Sequence, residues 1–449
     1  MTQLRLYICG AVLGTPAMVL ILGIGLFLTV GLGFPQLRLF PKALCLFFRR
    51  MTEKPSPEAG VSSAQALCTA LAATVGTGNL VGVAGALCLG GPGAIFWMWI
   101  CGFVGMATKY TEVALAVRFR VRTPIGFAGG PMYTMTRGLG RRLMPLAKAY
   151  CGFGILAAFG VGNAAQVNAV VTVLSDTAEQ FGRQPGSALR IAVGLALAAA
   201  TALLLLGGTK RVGAAAERLV PFAAGGYILL CIGVLLVFRG RLLPAFGQIF
   251  AGAFCPRAVT GGMLGSAFQA LSVGCSRGVF TNEAGMGTAS IAHACADNAR
   301  PAQQGLMGMI EVFLDTIVIC TMTALAILTS GVPIPYGVDA GAQLTARAFS
   351  VVYGRLAPLF LSGALILFAA ATILGWGLYG GRCAQFLFGS GGWKAFALAQ
   401  TAVVLLGATL DTATVWQLSE LANGLMAIPN LISLTALFPE IRRITKEYQ

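Results

Sequence analysis

One stretch of the sequence, Leu71–Gly93, limits what the chain can fold into more than any other. It lies in an apolar segment long enough to cross a bilayer, yet it carries the run Gly76-Thr77-Gly78-Asn79 near its middle. A membrane-spanning helix normally satisfies its own backbone, and a break is tolerated only where the backbone faces a cavity or a ligand. Two interpretations follow: a helix broken at a binding site, or an unbroken helix whose small residues pack against a neighbour.

The composition places the chain in the membrane class. Its mean hydropathy is +0.81, 57% of its residues are hydrophobic and only 10% are charged. Many segments exceed the roughly 18–20 apolar residues that span a bilayer. The net charge of +16 would suit a nucleic-acid-binding protein, but the Lys and Arg residues sit in short loops between spans. The sequence therefore indicates a polytopic bundle without a nucleic-acid partner.

Neither an enzyme nor a disulfide framework is indicated. The twelve cysteines are scattered, mostly in apolar runs, and no CxxC pair occurs. The sequence has no Ser-His-Asp set, no metal-ligand cluster and no Walker-type phosphate loop. The N-terminus carries no cleavable signal pattern. Because this chain has no recognisable ATP-driven domain, the energy for any transport has to come from an ion gradient.

Eleven spans are predicted from the apolar segments. Their approximate limits are Ala11–Phe34, Ser62–Leu89, a span from the turn at 90–93 to Val117, Ala149–Leu174, Leu189–Leu206, a span ending at Phe238, Ala258–Thr281, Leu306–Thr329, Leu359–Phe386, Trp393–Thr409 and Val415–Leu437. Basic residues concentrate in alternate loops, which predicts an N-terminus outside and a C-terminus inside the cell.

The spans suggest an internal repeat. If the first span is peripheral, ten remain, which divide into two sets of five with inverted topology. The first helix of the second set, at 263–280, contains Ser272, Gly274, Ser276 and Gly278 and is predicted to be broken at its centre, like Leu71–Gly93. Paired broken helices in corresponding positions point to a binding site at the membrane midplane. The predicted units are an extra N-terminal helix and basic loop (1–57), two five-helix repeats (58–240 and 241–440) and a cytoplasmic tail (441–449).

The chemistry of such a site follows from the broken backbone. The N-terminus of a half-helix presents free N–H groups and a positive dipole end, which suit a carboxylate. Unwound carbonyls, helped by a Ser or Thr hydroxyl, suit a hard cation such as Na⁺. No acidic residue occurs at either predicted break, so a carboxylate held by the backbone is the natural partner of the cation.

Eight sequence blocks resemble the alanine or glycine:cation symporter family, which belongs to the amino acid–polyamine–organocation superfamily. They are ATVGTGN (73–79), GGPGAIFWMW (90–99), GMATKYTE (105–112), GGPMYTM (129–135), RGVFTNEAGMG (277–287), DTIVICTMTAL (315–325), ILGWGLYGGRC (373–383) and NGLMAIPNL (423–431). The resemblance covers most of the chain. It implies Na⁺-coupled uptake of alanine or glycine, in some members with H⁺, and an all-α, leucine-transporter-like fold of five plus five helices with one extra N-terminal helix.

The resemblance also implies roles for individual residues. The substrate carboxylate is expected at Thr77 and Gly78 with Gly76, and Na⁺ at the carbonyls of Ala72 and Val75 with the Thr372 hydroxyl. The other residues expected at the substrate are Asn163 and Gln166, which share a helix face, Trp376 as a pocket wall, and Ser272 and Gly274 at the second break.

Three positions depart from the family pattern. The family often has a Ser-Thr pair where this chain has Ala371-Thr372, so one hydroxyl for the cation is missing. Ser290 stands where the family usually has Pro, and Cys275 lies beside the second predicted break. The first departure leaves the identity of the coupling ion open, and the third would alter the substrate size that is accepted.

Charged residues within or near the spans have two interpretations each. Asp315 and Glu311 share a helix face; Asp315 is a candidate coupling or gating residue, whereas Glu311 is placed near the solvated inner end. Arg277 and Glu283 would form a gating salt bridge or act as ordinary interfacial charges. Two further residues receive structural interpretations: Glu112, paired with Lys109 or Arg118, and His293, solvated in a polar loop.

The sequence thus predicts a monomeric, multi-pass carrier in a bacterial or archaeal cytoplasmic membrane. It would import alanine, glycine or both with Na⁺ by alternating access, using no organic cofactor. Two alternatives stay open: a proton-coupled or uncoupled amino-acid carrier of the same fold, and an amino-acid sensor that does not transport.

Overall fold

The computed structural model describes residues 15–449 apart from 54–60, 124–125, 181, 183–185, 256–266, 298–299, 339 and 410–411, and for 15, 180 and 412–420 it describes the backbone alone. The described part is helical except for one short antiparallel hairpin. Its strands are β1 (Val121–Thr123) and β2 (Gly126–Ala128), in which Arg122 pairs with Phe127. The predicted boundary at 57/58 and the predicted starts of spans one and seven lie outside the described residues.

The helices of the first half begin with a short peripheral set and continue as long apolar rods. They are α1 (Thr15–Gly31), α2 (Pro35–Arg38), α3 (Phe40–Thr52), α4 (Ser63–Thr74), α5 (Val83–Gly90), α6 (Gly93–Arg118), α7 (Pro131–Tyr133), α8 (Met144–Phe159), α9 (Ala165–Gln180), α10 (Ser187–Leu205) and α11 (Gly208–Val237).

The second half, like the first, contains both short and long helices. Its helices are α12 (Leu242–Phe254), α13 (Ala267–Asn282), α14 (Thr288–His293), α15 (Pro301–Val312), α16 (Thr321–Ser330), α17 (Gly341–Tyr353), α18 (Ala357–Phe388), α19 (Gly392–Gly407), α20 (Thr412–Ala436) and α21 (Phe438–Tyr448). Wider π-helical turns join α5, α9 and α16 to what precedes them, at Gly78–Gly82, Gly160–Ala164 and Phe313–Cys320, and a fourth covers Thr134–Gly138.

Apolar side chains cover the outside of the bundle as well as its core. Among the described residues, six helical runs are long and apolar enough to cross a membrane, or up to eight if each of two bent pairs counts as one span. Large apolar side chains such as Leu195, Phe222 and Leu236 are exposed on these helices. A surface of this kind fits a lipid environment, so the chain is a multi-pass membrane protein. The predicted total of eleven spans exceeds the number that these runs provide on their own.

The first predicted break is confirmed. A capping box formed by Ser62 and Gln65 starts α4, and the helix ends at Thr74 because Val75 turns to an extended conformation (φ −77°, ψ 100°). The chain resumes as a helix at Gly78, bent by 52° from α4. Leu71–Gly93 is therefore a broken helix.

The second predicted break is placed wrongly. The helix α13 continues from Ala267 to Asn282 through Ser272, Gly274 and Gly278, and residues 263–266 lie outside the described part. These small residues pack against α6: a methyl group on Gly274 would overlap the Ala94 carbonyl, and one on Gly278 would crowd Cys101. Here the close-packing interpretation applies.

The actual interruption lies nearer the C-terminus, between α13 and α14. Glu283, Gly285 and Gly287 all adopt positive φ angles, of 53°, 98° and 77°. Such angles end a right-handed helix and are rare for a residue with a side chain. The described part of the chain therefore contains an interruption within α4–α5 and another between α13 and α14, and both line the site described below.

Helices at the two ends of the chain pack on α6. Gly25 of α1 abuts Val104, and residues 441–448 of the predicted tail belong to α21, where the Thr445 hydroxyl lies 3.1 Å from the Tyr110 hydroxyl. At the surface, Arg118 donates to Glu440 over 2.9 Å, and this hydrogen bond lowers the pKa of Glu440. The extra helix and the tail therefore support the central bundle from one side.

Candidate functional site

A small polar cavity lies where the two interruptions meet α9, α18 and α20. Six of its lining residues were predicted from the sequence, and they come from four separate parts of the chain: Gly76, Thr77, Gly78, Gln166, Glu283 and Thr372. The remaining lining residues are Ala73, Thr74, Val161, Phe280, Thr281 and Asn423. Polar atoms from both interruptions therefore converge on one buried space.

The backbone at the first interruption is shaped by Asn79. The Gly76 N–H donates to Asn79 Oδ1 over 2.8 Å instead of closing the last turn of α4 on the Ala72 carbonyl. Thr77 and Gly78 then begin the second half-helix, and N–H groups in the first turn of a helix have no intrahelical acceptor. The N–H groups of Thr77 and Gly78 therefore lie at the cavity, at the positive end of the second half-helix. This arrangement suits a carboxylate.

Asn79 is in turn fixed by Asp315. Its Nδ2 donates to Asp315 Oδ1 over 2.7 Å, and the other carboxylate oxygen accepts from Thr316 over 2.9 Å. Asp315 lies in the π-helical turn Phe313–Cys320 and is fully buried. The candidate coupling residue is thus a neighbour of the interruption that acts through Asn79 and is not itself among the cavity-lining residues.

Oxygen atoms suited to a monovalent hard cation lie at the same interruption. The Thr372 hydroxyl is buried and has no hydrogen-bond partner among the described residues, and it lies 3.0 Å from where a methyl group on Gly76 would be. Gly375 of α18 packs directly onto Ala73, so the two segments approach closely. With the Ala72 carbonyl released from its helical donor, the residues fit a small cation held by hydroxyl and carbonyl oxygens.

Glu283 brings a carboxylate to the opposite side of the cavity. It is buried, and its Oε2 accepts from the Thr288 hydroxyl over 2.6 Å. Its proposed gating partner Arg277 lies six residues earlier on α13 and is half-buried. Because Glu283 is one of the lining residues, its carboxylate forms part of the cavity wall.

Several predicted residues lie away from the cavity. Asn163, on the π-helical turn before α9, donates to the Gln400 carbonyl of α19 over 2.8 Å. Trp376 is not itself a lining residue: it packs against Gly162, with its indole beside the lining residue Glu283. Ser272 and Gly274 are not among the residues that line the cavity, and Gly274 packs on α6. Asn163 and Gln166 have different partners, the Gln400 and Val161 carbonyls, because the wider π-helical turn changes their relative direction.

The second interruption is held by Glu112, a role that was missed. Its Oε1 accepts from the N–H groups of Gly285 and Gly287 and from Asn430 Nδ2, over 2.9, 3.1 and 2.7 Å. No ion pair of Glu112 with Arg118 or Lys109 occurs among the described residues. The available signal was the spacing of Asn423 and Asn430, seven residues apart on one face of an apolar helix.

A second correction concerns His293 and Glu311. His293 was predicted to be solvated in a loop, but it ends α14 and is 0% exposed, with Nε2 3.1 Å from Glu311 Oε2. Glu311 is also fully buried and lies 3.4 Å from Lys109 Nζ. Both residues belong to the interior because α14 packs inside the bundle against α4, α6 and α18.

A multi-pass helical bundle whose two interrupted helices enclose a buried polar cavity is a membrane transporter of the kind that carries small solutes. The chain belongs to the sodium:alanine symporter family, whose family model matches residues 2–449. It is 43% identical over 440 residues to the sodium/alanine symporter AgcS of Methanococcus maripaludis, covering 97% of this chain and 94% of that protein. It is 38% identical over 431 residues to the amino-acid carrier protein AlsT of Bacillus subtilis, covering 96% and 88%.

A solved structure shares the fold. The crystal structure of MhsT in complex with L-phenylalanine aligns with a TM-score of 0.58 at 14% sequence identity, covering 85% of this chain and 90% of that one. Together, the family and its transporter relatives support amino-acid symport as the general activity.

Proposed function

We propose that the protein imports alanine, glycine or both together with Na⁺ by alternating access around the cavity. The observation that carries this proposal is the convergence of two free N–H groups, an unpartnered hydroxyl and released carbonyls at one helix break. A zwitterion and a cation are complementary to that set of groups. Family membership supports the same activity, and the five-plus-five inverted repeat is the architecture we propose for it.

The substrate carboxylate binds at the N–H groups of Thr77 and Gly78, with the Thr77 hydroxyl and Gln166 beside it. Because Gly76 has no side chain, the substrate carboxylate can approach these N–H groups. Phe280 and Val161 limit the space for the side chain, which favours a methyl group or hydrogen.

The cation binds between the two segments that meet at Thr372. Its ligands are the carbonyls of Ala72 and Val75 with the Thr372 hydroxyl, next to the substrate carboxylate. Opposite charges at neighbouring sites favour each other's binding, which is the physical basis of coupling. Ala371 offers no hydroxyl, and this feature favours the alternative of a proton-coupled or uncoupled carrier.

The proposed setting is a bacterial or archaeal cytoplasmic membrane, with a monomer as the working unit. The distribution of Lys and Arg between loops supports an N-terminus outside and a C-terminus inside. In that orientation α4 and α14 face the cytoplasm, and α5 and α13 face outward.

Exchange of the external cation tests the coupling. Uptake of labelled alanine into proteoliposomes at fixed pH is expected to fall strongly when K⁺ replaces Na⁺, because K⁺ is too large for a site built for Na⁺. Unchanged uptake would refute Na⁺ coupling and favour the alternative carriers.

Counterflow of alanine in the same vesicles separates a carrier from an amino-acid sensor, because a sensor gives no counterflow.

The Thr77→Val substitution tests the carboxylate site. Removing the hydroxyl is expected to weaken alanine binding roughly tenfold, since a hydrogen bond to a charged group contributes about 1.5–3 kcal/mol. The measurement is alanine affinity by equilibrium binding to purified protein. Thr69→Val is the matched control, because Thr69 lies on the preceding half-helix α4, away from the cavity, and its hydroxyl donates to the Gln65 carbonyl. Equal affinities of the two variants would contradict the assignment.

A further inference from the structure

The single histidine of the chain lies in a closed polar network that the proposed transport site does not use. His293 and Glu311 are both fully buried, and His293 also contacts Gln304, whose Nε2 lies 2.8 Å from His293 Nδ1. Gln304 is itself 1% exposed. Three side chains from α14 and α15 therefore form a chain of hydrogen bonds that is shielded from solvent.

The hydrogen-bond pattern defines the state of the imidazole. Gln304 donates its amide N–H to Nδ1, so Nδ1 is an acceptor, and the proton on Nε2 is donated to Glu311. Rotating the Gln304 amide would present its oxygen to Nδ1 instead. A second proton on the ring could then be accommodated without other movement, which gives the network a neutral and a charged arrangement.

Other charged and titratable groups surround this network. Three buried carboxylates, Glu112, Glu283 and Glu311, face a single buried lysine, Lys109, and an uncompensated buried charge is costly. Glu112 is satisfied by three N–H donors, and Glu311 Oε1 is paired with Lys109 Nζ at 3.4 Å, which leaves Glu311 Oε2 to His293. The remaining groups that face this region are Tyr379 of α18 and, beyond the end of α14, Arg120, Cys295, Asp297 and Arg382.

The segment directly after His293 is bonded to neighbouring elements. Directly after it, the Asp297 N–H donates to the Val61 carbonyl over 2.9 Å, and Arg120 donates to the carbonyls of Ala296 and Asp297. The first contact ties the end of α14 to the start of α4, and the contacts of Arg120 tie it to the end of α6. They must separate if the cavity is to open between these two half-helices.

We propose that His293 and Glu311 form a proton-binding site that holds α14 against α15 while the cytoplasmic side is closed. A proton from solvent binds Nδ1 as Gln304 rotates, and the imidazolium then pairs with the Glu311 carboxylate. The charged pair strengthens the contact between α14 and α15. Loss of the proton to the cytoplasm weakens this contact and favours opening.

Nuclear magnetic resonance tests the proton site directly, because a chain with one histidine gives one set of ring signals. The protein, labelled at the histidine ring and purified without a histidine tag, is titrated between about pH 5 and pH 8. We expect the Nε2–H tautomer at the upper end and a doubly protonated ring at the lower end. A ring that stays in one state throughout would overturn the proposal.

The Gln304→Glu variant sharpens the same measurement. A carboxylate beside Nδ1 favours the imidazolium, so the ring is expected to keep its second proton to a higher pH than in the parent protein. A titration curve identical to that of the parent would overturn the proposal. Because neither result requires transport, this test stands apart from the proposed function.

A transport experiment tests the effect on opening and rests on the proposed function. With external pH and Na⁺ fixed, alanine uptake into proteoliposomes is expected to slow several-fold as internal pH is lowered. His293→Gln keeps a donor toward Glu311 but binds no proton, so its uptake is expected to be independent of internal pH. If this variant keeps the pH dependence of the parent, the proposed control of opening is wrong.

Discussion

Replacing Thr372 by valine is expected to raise the Na⁺ concentration for half-maximal alanine uptake about tenfold or more, which corresponds to about 1.4 kcal/mol. The hydroxyl is buried, lacks a hydrogen-bond partner and lies beside Gly76 at the first interruption. Valine has nearly the same shape, so the substitution removes an oxygen without opening a cavity. The measurement is uptake as a function of Na⁺ concentration, together with the rise in thermal stability that Na⁺ produces in the purified protein.

Two further variants accompany this test: one is a control, and the other adds a hydroxyl at the cation site. Thr401→Val on the neighbouring helix α19 is the control, because its hydroxyl donates to the Ala397 carbonyl away from the cavity. Ala371→Ser adds a hydroxyl next to Thr372 and is expected to lower the Na⁺ requirement. If Thr372→Val leaves both the Na⁺ dependence and the Na⁺-induced stabilisation unchanged, the cation does not bind at Thr372.

Replacing Glu112 by alanine is expected to abolish transport and to destabilise the protein by roughly 3 kcal/mol or more. One carboxylate oxygen accepts from Gly285, Gly287 and Asn430, and each buried donor left without a partner costs about 1–3 kcal/mol. The interruption between α13 and α14 would lose the group that fixes its shape. Thermal unfolding of the purified protein and alanine uptake measure the two effects.

Glu112→Gln is the matched comparison, since its amide oxygen can still accept from the backbone N–H groups. It is expected to retain more stability than Glu112→Ala. Equal stability of the alanine variant and the parent would show that Glu112 does not hold the interruption.

The first interruption could be predicted because its cause is local. Glycines, a threonine and an asparagine interrupt an otherwise apolar segment, and Asn79 itself supplies the acceptor for the Gly76 N–H. The convergence of Thr77, Gln166 and Thr372 was accessible through the resemblance of their blocks to a known family. No property of their spacing along the chain would have brought them together.

The second interruption could not be located in the same way, because its cause is distant in sequence. Gly274 and Gly278 look like helix breakers, yet they serve close packing on α6, whereas Glu283 takes a positive φ angle within contacts set by Glu112 and Asn430. His293 shows the same limitation. The polar sequence around His293 predicts a loop, whereas its partner Glu311 on α15 is brought to it only by tertiary packing.

The bond between Asn79 and the Gly76 N–H has a consequence for the part of the cycle in which nothing is carried. The carboxamide keeps the chain unwound without help from a substrate, and Asp315 keeps the carboxamide in place. After the substrate is released, the segment therefore does not relax into a continuous helix that the next substrate molecule would have to unwind. The empty transporter therefore returns with its binding site already formed. The rate of reloading then depends on how fast the site changes its access from one side of the membrane to the other, and not on refolding of the site.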